Sequence, residues 1–211
     1  MKKTIIFCAG APLAYVDKVK DVQFPILVGV DGGTKILIEA GYTLDFAIGD
    51  FDSTIVPQAK EVIVLPTKKD DTDLQYALYT VLSQFHLDDI EEVIVLGALG
   101  GGRLDHLLCN IWLAFDVKLE KWFPKLHLVD EKNSASFYLP GTYSLQKEEH
   151  KKYLSFILMS PVKHLSLSGV EYPLDKKSYD RPRSLISNEF LENDMTFSFE
   201  TGLICVMQTI D

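Results

Sequence analysis

Cysteine is scarce in this chain: Cys8, Cys109 and Cys205 are the only three, far apart and odd in number. No C-x-x-C or H-x-x-x-H grouping occurs, so neither a disulfide framework nor a zinc site is written into the sequence. All three lie in apolar runs, where buried free thiols are expected. Positive charge is also short, with 21 Lys and Arg against 30 Asp and Glu and a formal net charge of −9. That balance argues against nucleic acid as a partner, because duplex binding needs a basic face. A phosphate ligand stays possible if a metal cation stands between the two negative parties. No apolar run approaches the roughly 20 residues of a membrane span. The run after Lys2-Lys3 stops at Gly10-Ala11-Pro12, too short for a signal peptide. No membrane partner is expected, and the cytoplasm is the expected compartment. Internal repeats and low-complexity tracts are missing too.

What is present is ordinary globular composition over 211 residues, 47% hydrophobic and 24% charged, enough for two domains of about 100 residues each. The first half alternates short apolar runs with helical patterns. Thr4 to Cys8, Ile26 to Val30, Phe46 to Ile48, Val62 to Leu65 and Val93 to Leu96 read as strands buried on both faces. Helices are predicted over Thr34 to Ala40, Asp73 to Phe85 and Arg103 to Phe115, with apolar residues three and four apart. Strands alternating with helices imply a mainly parallel sheet in a three-layer α/β domain.

From about Leu126 the period changes to two, as in His164 to Ser168 and Met195 to Phe199, and Tyr153 to Met159 and Leu203 to Met207 read as further strands. A C-terminal antiparallel β-sandwich is expected. The boundary is placed near Lys121 to Lys125, where Pro124 stops the last helix, giving domains 1–123 and 124–211. Residues 175–184 (DKKSYDRPRS) read as a mobile polar loop.

The polar motifs follow the predicted strands. Gly10 follows the first, Asp31-Gly32-Gly33 the second, Asp50 and Asp52 of AIGDFDS the third, and Lys68 to Asp73 (KKDDTD) the fourth. Gly97 to Arg103 follows the fifth. All are at carboxyl ends of strands, the edge where open α/β sheets hold ligands. Unit charges about 4 Å apart repel by roughly 4 kcal/mol near a protein surface. Asp31, Asp50, Asp52 and Asp73 therefore need cations among them. A divalent ion answers that need, and all-oxygen ligands select magnesium or manganese over zinc or copper. Asp73 also fits a plain helix start. For Asp50 and Asp52 that alternative is weaker, since Gly49 and the D-x-D spacing serve no capping need.

GALGGGRLDH, from Gly97 to His106, runs a strand through glycines into a helix, exposing N–H groups that suit phosphate oxygens. No Gly-Lys-[Ser/Thr] follows, and no G-x-G-x-x-G occurs, so this is neither a Walker A loop nor a dinucleotide fingerprint. Arg103 at the helix start opposes the helix dipole unless an anion binds. A metal with a phosphate cradle, and no Ser-His-Asp set, points to phosphoryl transfer. The acceptor stays open on this evidence.

The succession Asp31-Gly32-Gly33, Gly49-Asp50-Phe51-Asp52-Ser53, Lys69-Asp70-x-Thr72-Asp73 and Gly-Gly-Arg103-x-Asp105-His106-x-x-x-Asn110 resembles the thiamine pyrophosphokinase family. Gly169-Val170-Glu171-Tyr172-Pro173-Leu174 and Ser187-Asn188-Glu189 look like that family's motifs in its second domain. One departure is that the family's loop carries one glycine fewer than Gly100-Gly101-Gly102. The resemblance implies an α/β domain joined to a β-sandwich, a homodimer with the thiamine site where the subunits meet, and magnesium-dependent diphosphate transfer from ATP to the thiamine hydroxyl with release of AMP. It implies that Asp50, Asp52 and Asp73 hold Mg2+, with Asp31 nearer the thiamine hydroxyl and Arg103 also catalytic. Lys69, Asp70, Thr72, Gly100, Gly101, Gly102, Arg103, Asp105 and His106 would bind ATP. Ser187 and Asn188 would meet the aminopyrimidine and Tyr172 would stack on thiamine, an aromatic cation. Without the resemblance, Tyr172 reads equally as a core tyrosine and Ser187-Asn188 as a turn.

Two rival readings stand beside this one. Asp50-Phe51-Asp52-Ser53-Thr54 also matches the aspartyl-phosphatase pattern D-x-D-x-T, in which the first carboxylate is a nucleophile; that motif belongs on a first strand, and here two strands precede it. A nucleotide or thiamine sensor on a kinase-like scaffold is the second rival.

Overall fold

Each of the five apolar runs of the first half forms a strand: β1 (Lys3–Cys8), β2 (Ile26–Val30), β3 (Leu44–Gly49), β4 (Ala59–Val64) and β5 (Ile90–Leu96). A sixth, β6 (Leu126–Val129), pairs parallel with β5. The computed structural model describes residues 2–10, 16–51, 57–100 and 102–211. Their contacts divide into two compact units, Met1–Glu131 and Lys132–Asp211.

In the first unit the strand order is β6-β5-β1-β2-β3-β4, and every pairing is parallel. The chain winds outward from β1 through β4 on one side and from β5 to β6 on the other. The winding direction therefore switches between β1 and β5. Ile5, Ile6, Phe7 and Cys8 are all buried, as central strands covered on both faces require. Helix α1 (Gly32–Glu39) follows β2, and α2 (Asp73–Leu82) buries Leu74, Ala77, Leu78, Val81 and Leu82 at helical spacing. Helix α3 (Leu104–Ile111) ends earlier than its pattern suggests and passes into a 3-10 turn over Trp112–Phe115. None of its residues is buried.

The second unit has strands β7 (Asn133–Tyr138), β8 (Gly141–Gln146), β9 (Tyr153–Leu158), β10 (Val162–Ser168), β11 (Leu174–Tyr179), β12 (Arg183–Asn188), β13 (Asp194–Phe199) and β14 (Ile204–Thr209). They form two antiparallel groups, β12-β9-β14-β7 and β11-β10-β13-β8. Leu154, Phe156 and Val206 of one group share a core with Leu165, Leu167 and Phe197 of the other, so this is the expected sandwich.

Two expectations differ from the structure. The chain parts between Glu131 and Lys132, not at residue 123, because Leu126–Val129 completes the parallel sheet through four residue pairs with β5. Residues 175–184 are not one loop: 175–179 belong to β11 and 183–184 to β12, paired to β10 and β9, and only 180–182 form the turn between them. Their side chains are polar because they stay largely exposed; the backbone pairing leaves no mark on composition. Among the described residues no helix is long and apolar enough to cross a membrane.

Candidate functional site

A cavity of about 470 Å³ opens at the carboxyl edge of the first unit's sheet. Ala9 and Gly10 after β1, Asp31 and Gly32 after β2, Lys69, Asp71, Thr72 and Asp73 at the entry to α2, and Gly97 and Gly100 after β5 all line it. It therefore lies where the winding direction switches, the place such sheets leave open for a ligand. The approach is close: a Cβ added to Gly33 would lie 1.8 Å from the Cys8 carbonyl oxygen. Only glycine lets α1 begin that near the end of β1.

Asp31 has φ +47 and makes no side-chain cap to α1, while its N–H donates to the Ile48 carbonyl at 2.8 Å. A non-glycine residue held there costs about 1–3 kcal/mol, which suggests that the carboxylate serves something other than the helix. Beside it, Gly49 lies close enough that a Cβ would be 3.1 Å from the Asp31 Cα. Phe51, at φ +46, buries its ring in the core and so anchors the chain between the two aspartates of the D-x-D pair. Asp50 stands at this edge, half-buried and outside the cavity wall. Asp52 lies outside the described residues.

The segment leading into α2 turns most of its side chains to the cavity. Lys69, Asp71, Thr72 and Asp73 line the cavity, while Asp70 is exposed and outside its wall. Thr72, not Asp73, caps α2: its hydroxyl accepts from the Gln75 N–H at 3.2 Å, and the Gln75 side chain accepts from the Thr72 N–H at 3.0 Å. This reciprocal pair satisfies the helix start and leaves the Asp73 carboxylate without a capping task. Asp73 Oδ1 is sealed from solvent and accepts no well-angled hydrogen bond, although Lys69 Nζ is 3.0 Å away. Lys69 also donates to the Pro66 carbonyl at 3.1 Å.

On the far wall are Gly97, Gly100, Arg103, His106, Cys109 and Asn110. Gly102 has φ +79 and, like Gly100, has open space where a Cβ would go; Gly101 lies outside the described residues. Arg103 pairs with Asp105 through Nη2–Oδ2 at 2.5 Å and Nε–Oδ1 at 3.2 Å, both side chains well exposed. The guanidinium beside it holds the Asp105 carboxyl down at about 2. Asp105 itself lines an adjoining groove with Leu108, Trp112, Phe115 and Val117. Asp31, Asp71 and Asp73 thus share the cavity with Lys69 and an Arg103 already engaged by Asp105. Among the described residues no three His, Cys, Asp or Glu side chains group closely enough to hold an ion alone.

In the second unit Asn188 is buried and joins Tyr172 twice. It accepts from the Tyr172 N–H at 2.9 Å and donates to the Tyr172 carbonyl at 3.0 Å. It also accepts from the Glu189 N–H at 2.9 Å. The Tyr172 side chain is 65% exposed, so it is no core tyrosine. Ser187 has φ +60 and donates its N–H to Ser155 Oγ at 3.2 Å. Asp71 and Cys109 also line the cavity, with no role expected for them, and so does Asn110, the last residue of the motif that begins at the glycine loop. Cys109 was masked by its apolar neighbours.

Comparison with known proteins agrees along the chain. The family described as Thiamin pyrophosphokinase, catalytic domain matches residues 22–122, and Thiamin pyrophosphokinase, vitamin B1 binding domain matches residues 142–204. The thiamine pyrophosphokinase of Bacillus subtilis (strain 168) is 34% identical over 220 residues, covering 99% of this chain and all of that protein. The crystal structure of a thiamin pyrophosphokinase family protein from Enterococcus faecalis superposes with a TM-score of 0.88 at 34% identity over the full length of both chains. That of the thiamine pyrophosphokinase from Bacillus subtilis gives 0.86 at 32% identity, covering 99% of this chain and 100% of that one.

Proposed function

We propose, since the chain belongs to the thiamine pyrophosphokinase family, that its switch-point cavity is where ATP gives up its diphosphate. The activity is transfer of diphosphate from ATP to the hydroxyl of thiamine, yielding thiamine diphosphate and AMP. The observation that carries the site is the convergence of four strand-end loops on one cavity holding Asp31, Lys69, Thr72, Asp73, Arg103 and His106. The thiamine hydroxyl oxygen bonds to the β-phosphorus, the bond from that phosphorus to the oxygen bridging to the α-phosphorus breaks, and AMP leaves with that oxygen. Little covalent help is needed; alignment and charge neutralisation supply most of the acceleration.

The roles fall to the residues as follows. Backbone N–H groups around Gly100–Gly102 and the start of α3 receive phosphate oxygens. Lys69 and Arg103 offset their charge, with Thr72 and His106 completing the wall; Asp105 holds Arg103 in its rotamer. Asp70 is exposed, and we keep it as an outer contact to ATP. Asp31 takes the hydroxyl proton in this reading. A magnesium ion suits this donor set, because the buried Asp73 Oδ1 accepts no well-angled hydrogen bond and has only the Lys69 ammonium at 3.0 Å beside it; Asp73, Asp50 and Asp52 would hold it. When bound, such an ion neutralises phosphate charge. The exposed Tyr172 ring supplies a face for the thiamine cation, with Ser187 and Asn188 at the aminopyrimidine end.

We further propose a homodimer with the thiamine site where the subunits meet, working in the cytoplasm. Leu104 (67% exposed) and Trp112 (59% exposed), with Leu108, Phe115 and Val117, leave an apolar face on and after α3, and contiguous patches of this kind mark interfaces. Sedimentation of the purified chain at twice the monomer mass supports this, and monomer mass refutes it. The activity is tested by incubating the chain with ATP, magnesium and thiamine. AMP formed only when thiamine is present is the expected result; ATP binding without AMP would make the protein a sensor.

A further inference from the structure

We infer that Asn110 is a positioning residue of the nucleotide site: it ties α3 to the glycine loop and so fixes the spacing of the phosphate cradle. The inference rests on the reading of the cavity as the ATP site. Asn110 lies in the last turn of α3 and lines the cavity. Its Nδ2 donates to the carbonyl oxygen of Ala98, second residue of the loop, at 2.9 Å. A carbonyl can only accept, so the nitrogen of the amide must face it and the assignment of the two amide atoms follows.

The bond matters because little else holds this wall. Among the described residues of α3 it is the side-chain hydrogen bond that leaves the helix; Asp105 bonds only to Arg103 and the His106 N–H beside it. No residue of α3 is buried, so packing does not fix the helix as it fixes α2. Ala98, by contrast, is fully buried. The loop's base is pinned in turn by the Ala9 N–H, which donates to the Leu96 carbonyl at 2.9 Å. Asn110 therefore connects an anchored point, 12 residues away in sequence, to the helix that carries Arg103, His106 and Cys109 to the cavity. Gly100 and Gly102, between the two ends, have no side chains to do so.

The test compares Asn110→Ala and Asn110→Asp with the parent in steady-state kinetics and in direct AMP binding by calorimetry. A lost hydrogen bond of ordinary worth corresponds to roughly a fivefold to tenfold change. We expect the KM for ATP and the Kd for AMP to rise by that factor in both variants, with the KM for thiamine unchanged. The Asp variant adds a readout a purely structural role would not move. Ionised, its carboxylate faces the Ala98 carbonyl as a second acceptor; protonated, it can donate and restore the bond. Its kcat/KM for ATP relative to the parent should thus rise as pH falls from about 6 toward the ordinary aspartate value of about 3.9. Equal rises in both KM values, unchanged AMP binding or a flat pH ratio would each overturn the inference. If the parent itself forms no thiamine-dependent AMP, the functional reading fails instead, and AMP binding still judges Asn110.

Discussion

Gly33→Ala decides whether the cavity depends on the contact between α1 and β1. On helix propensity alone the change is favourable, since alanine in place of glycine within a helix gains about 1 kcal/mol. The contact reverses the sign. The new Cβ would lie 1.8 Å from Cys8 O, 2.4 Å from Cys8 C and 2.8 Å from Gly10 N, all backbone atoms that cannot rotate aside. Reaching an ordinary separation of 3.4 Å needs the helix start to retreat by about 1.6 Å, which falls at the upper end of the 1–3 kcal/mol cost of overpacking. The balance is a loss of about 2 kcal/mol, or roughly 4–8 °C in Tm for a chain of this size. The retreat also carries Asp31 and Gly32 away from Gly10 across the cavity mouth, so ATP affinity should fall with stability. Thermal unfolding and ATP titration calorimetry read the two effects. A Tm equal to or above the parent's, with unchanged ATP affinity, would refute the argument.

Asp73→Asn should lower thiamine-dependent AMP formation by about 100-fold or more while Tm stays near the parent's, because the Thr72–Gln75 cap does not use Asp73; turnover within a few-fold of the parent would remove its role. Tyr172→Ala should raise the KM for thiamine by about threefold to tenfold and leave that for ATP unchanged, and equal effects on both would end the stacking assignment. Burial pushes the His127 imidazole below its ordinary value of 6.5. The unfolded chain then binds a proton the native state refuses, so stability is full above that value and declines as pH falls below it. His127→Gln should flatten that decline in urea unfolding at successive pH values; an identical slope would show that other groups cause it.

The parallel sheet was legible because its strands are apolar on both faces, and α2 because its apolar residues recur three and four apart. Strand β6 escaped notice: four residues between a proline-containing turn and a charged loop carry too little periodicity. Helix α3 is predicted from the apolar spacing of Leu104, Leu107, Leu108, Ile111 and Trp112, yet none of these is buried. An apolar stripe has the same spacing whether its own chain or another covers it. The cavity edge followed from the rule that strand ends converge. The inward turn of Asp71, the outward turn of Asp70 and the use of the Asn188 amide by the Tyr172 backbone depend on torsions that residue types do not fix.

Asp31 brings a last consequence. Its left-handed backbone is one that glycine would adopt at ease, so Asp31→Gly should relax the turn and harden the protein against heat while deleting a carboxylate from the cavity. Screening for thermal tolerance alone would therefore draw variants toward inert proteins at this codon. The durability of such a variant and its usefulness would diverge, and a library should be sorted on turnover before it is sorted on melting.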